Sequence, residues 1–297
     1  MIFTQLNVSR IESQYPPVGQ FSEMAEGRLH YTDMGSAADG QTPVFFVHGA
    51  SGNLLDQQGA FKEAIEGRYR GIFVDRPGYG YSDRMGADDP AKQAALYAQL
   101  LDELQIDQVV LVGHSLGSAS VAAFAVLYPD RVRGLVFLAP ATHPWPGGVT
   151  WYYELAAMPV IGRLFTETVA MPAGLQSLAS GAKGVFDPQE APPSYVENAA
   201  LALILRPASF RYNAQDVAGL NAFSRAFSRR YKEIKAPAVV ITGDKDDIVA
   251  PEIHSLGLER DIEGAELVVI PGLGHKPDYA ETARVMDAIE KVMQAAR

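Results

Sequence analysis

The sequence contains no cysteine, which excludes a disulfide framework, a thiol nucleophile and any metal site built on cysteine. It also lacks a basic surplus, because 25 Lys and Arg residues stand against 35 Asp and Glu residues, for a formal net charge of −10. Nucleic-acid binding depends on a basic face that displaces counterions from phosphates, so we expect no nucleic-acid partner. No apolar run approaches the roughly 20 residues of a membrane span, and the N-terminus shows no signal peptide. These absences predict a globular cytoplasmic protein.

Short apolar runs rich in β-branched or aromatic residues recur, at residues 44–47, 72–74, 109–112, 135–138, 239–241 and 267–270. Uninterrupted apolarity indicates strands that are buried on both faces, as in a parallel sheet. Amphipathic stretches of helical length lie between the runs, at residues 91–104, 116–128 and 280–295. The alternation predicts an α/β fold in which a mostly parallel central sheet carries helices on both faces.

Two features interrupt this alternation. Residues 21–26 and 28–33 alternate about Gly27 and predict an antiparallel hairpin, preceded by an irregular N-terminal arm at residues 1–20. Between residues 142 and 234, prolines punctuate short helical patches and no buried-strand pattern occurs, which predicts an inserted helical cap. The α/β core would then comprise residues 21–141 and 235–297.

The first motif with chemical content is Gly113-His114-Ser115-Leu116-Gly117, which lies between the run at residues 109–112 and a helical stretch. A turn from strand to helix in so few residues forces the serine backbone into a strained conformation. Side chains at the two glycine positions would clash in such a turn. We predict that Ser115 is held above the sheet as a nucleophile; the alternative is a glycine-rich turn with an incidental serine.

A serine hydroxyl becomes a good nucleophile only when a base takes its proton. The candidate base is His275, which follows the last predicted strand at the carboxyl edge of the sheet, where active sites of α/β proteins gather. The other histidines are expected to be surface or packed residues. Of these, His48 should hold its loop by hydrogen bonds, and His114 should point away from Ser115.

An imidazole base needs a buried carboxylate that fixes its tautomer and stabilises its cation. Asp244, Asp246 and Asp247 all follow the strand predicted to end at Ile241, and the residue types alone do not choose among them. A helix cap or a solvated turn is the alternative role for each. The chain order of serine, acid and histidine is the order expected of one particular hydrolase architecture.

Acyl transfer also needs two backbone N–H groups aimed at the developing alkoxide, which together form an oxyanion hole. One is expected from Leu116, the residue after the nucleophile. The other is expected from Ala50, in the loop of small residues after the run at 44–47.

Taken in this order, the segments resemble those of the α/β-hydrolase fold family. The matching motifs are His48-Gly49-Ala50, residues 75–82, the motif around Ser115, Gly243-Asp244-Lys245-Asp246, and Gly274-His275. The resemblance covers about residues 21–294 and is interrupted at the cap. It implies a triad of Ser115, Asp246 and His275, and it implies that residues 75–82 form a structural turn.

The resemblance also implies the class of reaction. Dehalogenases and epoxide hydrolases of this family carry Asp at the position of Ser115, whereas serine points to acyl chemistry. The first expectation is hydrolysis of small to medium, fairly apolar carboxylic esters through an acyl-enzyme on Ser115. Thioesters and lactones are alternative substrates. The alternative activities are a carbon–carbon bond hydrolase or lyase and a perhydrolase of the haloperoxidase type, and the non-enzymatic alternative is a small-molecule receptor.

Large apolar side chains of the cap are candidates for lining the substrate cleft, namely Trp145, Trp151, Met158 and Phe210. Packing of the cap onto the core is the alternative role for each. No cation is evidently placed to hold a substrate carboxylate. We expect no metal and no organic cofactor, because no ligand spacing or nucleotide-binding motif is present. The expected partner is a small-molecule substrate, and the expected state is a monomer or homodimer.

Overall fold

The computed structural model describes residues 1–35 and 41–295 of the chain. Within these residues eight strands form one sheet: β1 Gln20–Met24, β2 Gly27–Met34, β3 Val44–Val47, β4 Gly71–Val74, β5 Val109–His114, β6 Val132–Leu138, β7 Ala238–Gly243 and β8 Glu266–Ile270. Their spatial order is β1-β2-β4-β3-β5-β6-β7-β8. β1 and β2 form the predicted antiparallel hairpin, β2 is antiparallel to β4, and the pairings from β4 to β8 are parallel. The predicted α/β fold is confirmed.

Helices connect the strands and cover the sheet. In chain order they are α1 Ile2–Gln14, α2 Leu54–Ile65, α3 Pro90–Glu103, α4 Gly117–Leu127, α5 Trp151–Ala157, α6 Ile161–Phe165, α7 Met171–Phe186, α8 Tyr195–Asn198, α9 Pro207–Phe227, α10 Pro251–Asp261, α11 Pro277–Ala280 and α12 Thr282–Ala295. Local signals set their starts: α2 begins after Asn53, whose side chain accepts the N–H of Leu55. α3 begins at Pro90 after Asp89, which caps it in the same way.

The two faces of the sheet are buried in two separate cores. Phe45 packs with residues of α3 and α4, whereas its neighbour Phe46 packs with residues of α2 and α12. This follows from the alternation of side chains along a strand. The prediction of burial on both faces is wrong for β8, where Val269 is 48% exposed. β8 lies at the edge of the sheet and has a neighbouring strand on one side only.

The prediction of an irregular N-terminal arm is also wrong, because Ile2–Gln14 form a regular helix. This helix packs on the segment between β6 and β7: Thr4 Oγ1 donates to the carbonyl of Glu167 at 2.7 Å, and Ile11 is buried in a cluster with Tyr79 and Leu203. Several other apolar residues of α1, including Phe3 and Leu6, are exposed. The sequence therefore lacks the apolar stripe that predicts a helix.

The segment between β6 and β7 contains helices and no strand among the described residues. It comprises α5 to α9, a π-helical turn at Thr166–Ala170, and 3₁₀ turns at Leu201–Leu205 and Ser228–Glu233. This is the helical insertion expected for residues 142–234, which we call the cap; the division into domains stays a prediction. Among the described residues, no helix combines the length and the apolarity that crossing a bilayer requires.

Candidate active site

The candidate site lies where the order of strands reverses. β3 and β5 are neighbours in the sheet, but the chain visits β4, on the far side of β3, between them. Loops that leave two such strands diverge and open a crevice at their carboxyl ends. Ala50 follows β3 and Ser115 follows β5, so both predicted loops meet at this crevice. A Cβ added to Gly49 would lie only 3.0 Å from Ser115 Cβ.

Ser115 sits in the strained turn that its motif predicts. Its φ angle is +51°, in the left-handed region that residues other than glycine rarely adopt. The flanking glycines are required sterically: a Cβ on Gly117 would lie 2.4 Å from the carbonyl oxygen of His48, and one on Gly113 would lie 2.9 Å from Ser118 Cα. The turn is held by a 2.9 Å hydrogen bond from the Ser115 N–H to the carbonyl of Leu138 on β6.

Asp246 and His275 form a buried hydrogen-bonded pair. His275 Nδ1 lies 2.7 Å from Asp246 Oδ2, and the Asp246 side chain is fully buried. The other carboxylate oxygen, Oδ1, accepts the N–H groups of Ile248 at 3.0 Å and Val249 at 2.9 Å. An ionised carboxylate only accepts hydrogen bonds, so Nδ1 carries the proton and Nε2 is left as the acceptor.

Four groups at the crevice remain free for a ligand. Ser115 and His275 line the same cavity, and among the described residues no hydrogen bond links Ser115 Oγ to His275 Nε2 or occupies either atom. The N–H groups of Ala50 and Leu116 likewise have no acceptor within the described part of the chain. Catalytic hydrogen bonds often form only when substrate is bound. Ala50, Ser115 and His275 line one space, and Leu116 follows Ser115 directly in the chain. The arrangement therefore offers a hydroxyl, an imidazole acceptor and a backbone donor at that space, with a second unpaired donor next to Ser115.

The cavity at Ser115 has a volume of about 700 Å³ and is closed mainly by apolar side chains of the cap. Of the four cap residues predicted to line it, Trp151 and Phe210 lie on its wall. Trp145 and Met158 do not, which corrects their assignment. Trp145 packs against the cluster of Leu116, Ala141 and Leu220, and Met158 lies outside the cavity with 45% of its surface exposed.

A buried ion cluster adjoins His275 and was missed by sequence reasoning. The ammonium of Lys276 lies 3.0 Å from Asp56 Oδ2 and 2.9 Å from Asp278 Oδ2, and Tyr195 donates to Asp56 Oδ1 at 2.8 Å. Burial by itself would lower the pKa of Lys276, but the carboxylates of Asp278 and Asp56 outweigh this effect and raise the pKa above its ordinary value.

The same cluster offers candidate metal ligands. Asp56, His114 and Asp278 are close enough to hold a metal ion, but the Lys276 ammonium already binds both carboxylates. Only the adjacency of Lys276 to His275 signals the cluster in the sequence.

His48 and His114 support the site as neutral side chains. His48 Nε2 accepts the N–H of Arg76 at 3.0 Å, as the predicted loop-holding role requires, and burial beside Arg76 lowers the pKa of His48 to about 4.

The prediction that His114 points away from the site is wrong. His114 lines the cavity, and its Nε2 lies 2.9 Å from the carbonyl oxygen of His275. The His275 loop folds over the end of β5 and so covers this ring. Burial, with Lys276 nearby, lowers the pKa of His114 well below its ordinary value.

Two further residues missed by sequence reasoning, Asn213 and Asp216 on α9, anchor the loop that carries Ala50. Asn213 Oδ1 accepts the N–H of Ser51 at 2.9 Å, and the hydroxyl of Tyr79 lies 3.1 Å from Asn213 Oδ1 and 3.2 Å from Asp216 Oδ2. Asp216 in turn binds the fully buried guanidinium of Arg76 at 2.7 Å. The cap thus fixes the loop that carries Ala50 through contacts between residues far apart in the sequence, which no local sequence pattern predicts.

We expect Asp216→Asn to lower the free energy of unfolding by about 3–5 kcal/mol, because it leaves the Arg76 charge buried without its carboxylate. Asp216 is 2% exposed and Arg76 is 0% exposed at the side chain. Asp102→Asn is the control: that carboxylate binds Arg131 but is 68% exposed, so a loss of about 0–1 kcal/mol is expected. Urea unfolding of both variants measures the difference, and equal losses would contradict the assignment.

Comparison with known proteins is decisive for the family. The model of a family described as the alpha/beta hydrolase fold matches residues 42–277. The chain belongs to this family. A relative from Burkholderia vietnamiensis, named 2-hydroxy-6-oxononadienedioate/2-hydroxy-6-oxononatrienedioate hydrolase, is 28% identical over 293 residues that cover 96% of each chain. A 2-hydroxy-6-oxo-6-phenylhexa-2,4-dienoate hydrolase from Burkholderia cepacia is 28% identical over 84% of this chain and 85% of its own.

Solved structures agree with this α/β-hydrolase in fold. A thermophilic esterase from Thermogutta terrifontis matches with a TM-score of 0.72 and 23% identity, covering 94% of this chain and 99% of its own. An alpha/beta hydrolase fold protein from Nakamurella multipartita matches with a TM-score of 0.69 and 25% identity, covering 94% and 100%. The chain is thus an α/β-hydrolase enzyme.

Proposed function

We propose that this α/β-hydrolase is a serine hydrolase that cleaves neutral carboxylic esters with small to medium, fairly apolar groups. The observation that carries the proposal is the chemistry of one cavity. Ser115 and His275 both line a space of about 700 Å³ that is walled mainly by apolar cap side chains. Such a space favours uncharged substrates, since burial of an unpaired charge is costly.

In the proposed reaction, His275 Nε2 accepts the proton of Ser115 Oγ as that oxygen attacks the ester carbonyl. The N–H groups of Ala50 and Leu116 bind the resulting oxyanion. The alcohol leaves with the proton from His275, and an acyl-enzyme forms on Ser115. Water, deprotonated by His275, then releases the acid. Asp246 holds the imidazole and stabilises its cation throughout.

Carbon–carbon bond hydrolysis is the second candidate, because the relatives named above carry names of such hydrolases. The first of these names denotes a substrate with two carboxylates. Within the described residues, the one cation on the cavity wall is Lys276, and two carboxylates already bind it. A dicarboxylate would therefore find no unpaired partner there, which favours the ester over this alternative.

We expect p-nitrophenyl butyrate to be hydrolysed with a kcat/KM at least about 100-fold above that of mono-p-nitrophenyl succinate, whose carboxylate would be buried unpaired. The two acyl chains have the same length and differ mainly in charge. Release of p-nitrophenol at pH 7 measures both rates, and the Ser115→Ala variant corrects for hydrolysis outside the site.

A second substrate, assayed in parallel, decides between the ester and the carbon–carbon bond candidates. A 2-hydroxy-6-oxo dienedioate is tested in parallel by the loss of its chromophore. A higher kcat/KM for this compound than for every neutral ester would overturn the proposal in favour of carbon–carbon bond hydrolysis. An absence of turnover with all of them, together with saturable binding, would favour the receptor alternative.

A further inference from the structure

A second cavity of about 640 Å³ lies beside α9 and shares no lining residue with the active-site cavity. Its walls come from α1, from Arg28 on β2, from the loop after β4, from α6 and the π-helical turn that follows it, and from the start of α9. α9 separates the two spaces, since Phe210 lines the active-site cavity and its neighbour Arg211 lines the second one. The second cavity is therefore a separate place for a ligand.

The charge on this wall is opposite in sign to that of the chain. The lining contains five arginines and three carboxylates, whereas the chain as a whole carries −10. Three of the arginines are paired with acids, Arg84 with Asp216, Arg163 with Glu167, and Arg206 with Glu12. A concave wall with a positive surplus concentrates the electrostatic field and attracts anions.

Two of the arginines have no acidic partner among the described residues. Arg211 makes no hydrogen bond or ion pair there, and its Nε is buried without an acceptor. The guanidinium of Arg28 lies over the ring of Phe21, 4.5 Å from its centre, and pairs with no carboxylate of the described chain. The nearby Asp83 carboxylate instead accepts the backbone N–H of Arg28. Buried polar atoms are normally paired, so the partly buried Arg211, with its Nε unpaired, can still bind an acceptor from the cavity, as can the exposed guanidinium of Arg28.

The start of α9 adds donors to the same wall. Ala208 and Ser209 line the cavity, and their N–H groups have no acceptor in the described part of the chain. No side chain caps this 21-residue helix. Uncapped N–H groups carry the positive end of the helix dipole and bind oxyanions. Guanidinium and amide donors thus converge on one space.

We propose that the second cavity binds a small oxyanion of charge −2 or more, held by Arg211, Arg28 and the N–H groups of Ala208 and Ser209. Guanidinium groups bind such oxygens in pairs, which gives both affinity and orientation. A phosphate ester and a di- or tricarboxylate present the same chemistry. The volume of about 640 Å³ leaves room for an organic group beside the anionic one.

The test is isothermal titration calorimetry of the full chain with inorganic phosphate and, separately, with citrate, at constant ionic strength set by sodium chloride. We expect saturable binding of one anion per chain. Arg211→Gln, which removes the guanidinium and its charge but keeps a polar side chain, should weaken it at least about tenfold. Arg28→Gln should weaken it as well, and Arg211→Lys should restore part of the affinity.

Arg229→Gln is the matched control, because Arg229 is exposed and lies outside the cavity; it should bind like the unchanged protein. Circular dichroism confirms that each variant is folded. Tighter binding of phosphate identifies a phosphorylated ligand, and tighter binding of citrate a carboxylate. The proposal is overturned if neither anion binds saturably, or if Arg211→Gln and Arg28→Gln both bind as well as Arg229→Gln.

Discussion

Replacing Ser115 by Ala is expected to lower kcat for p-nitrophenyl butyrate by about 10⁵-fold and to abolish labelling by a fluorophosphonate probe. The reason is chemical and local: without Oγ no acyl-enzyme can form, while the cavity and the free N–H groups of Ala50 and Leu116 remain. The fold should be unaffected, because no described residue depends on a hydrogen bond from Ser115 Oγ.

Ser255→Ala provides the matched control for this change. Ser255 is also buried, lies on α10 outside the cavity, and its hydroxyl has no partner among the described residues. Its removal should leave both turnover and labelling unchanged. Undiminished labelling of the Ser115→Ala variant would place the nucleophile at another residue.

Asp246→Asn is expected to reduce kcat by about 10³–10⁴-fold at neutral pH. Oδ1 of Asp246 accepts two backbone N–H groups, so the amide oxygen of an asparagine would take that place. The amide nitrogen would then face His275 Nδ1 and donate to it. The proton of the neutral imidazole would be moved to Nε2, which could no longer accept the proton of Ser115.

The neighbouring acids supply the controls for this prediction. Asp244 and Asp247 are both exposed, and Asp244 accepts the N–H of Gly272 rather than any proton of His275. Asp244→Asn and Asp247→Asn should change kcat only a few-fold, as surface substitutions do. A larger loss in either variant than in Asp246→Asn would refute the choice of acid.

Much of the fold was predictable because the signals are local. Each central strand has an apolar run flanked by glycine, proline or aspartate, and each run became a strand of the sheet. The turn at Ser115 was predictable for the same reason, since its two glycines are needed within the motif itself. By contrast, the choice among the three acids needed the family resemblance. Of the three, only Asp246 is buried, and that burial is a property of the folded chain.

The failures have a common cause. α1 is helical although its apolar residues form no stripe, because its buried residues contact the cap and Tyr79, which are far away in the sequence. Trp145 and Met158 were assigned to the cleft by residue type, but the direction of a cap side chain depends on how the cap packs. Lys276 was overlooked because an isolated lysine in a sequence gives no sign that two carboxylates will surround it.

Neighbouring residues encode the order of the central strands, the turn at residue 115 and the loop that carries His275. The sequence alone determines these features. The surroundings of those residues are a different matter. Segments far apart in the chain form the apolar cavity, the ion pairs of Lys276, the contact of α9 with the Ala50 loop and the arginine-lined second cavity. Tertiary structure decided them, because burial and charge pairing depend on distance in space, whereas backbone conformation depends mainly on adjacent residues.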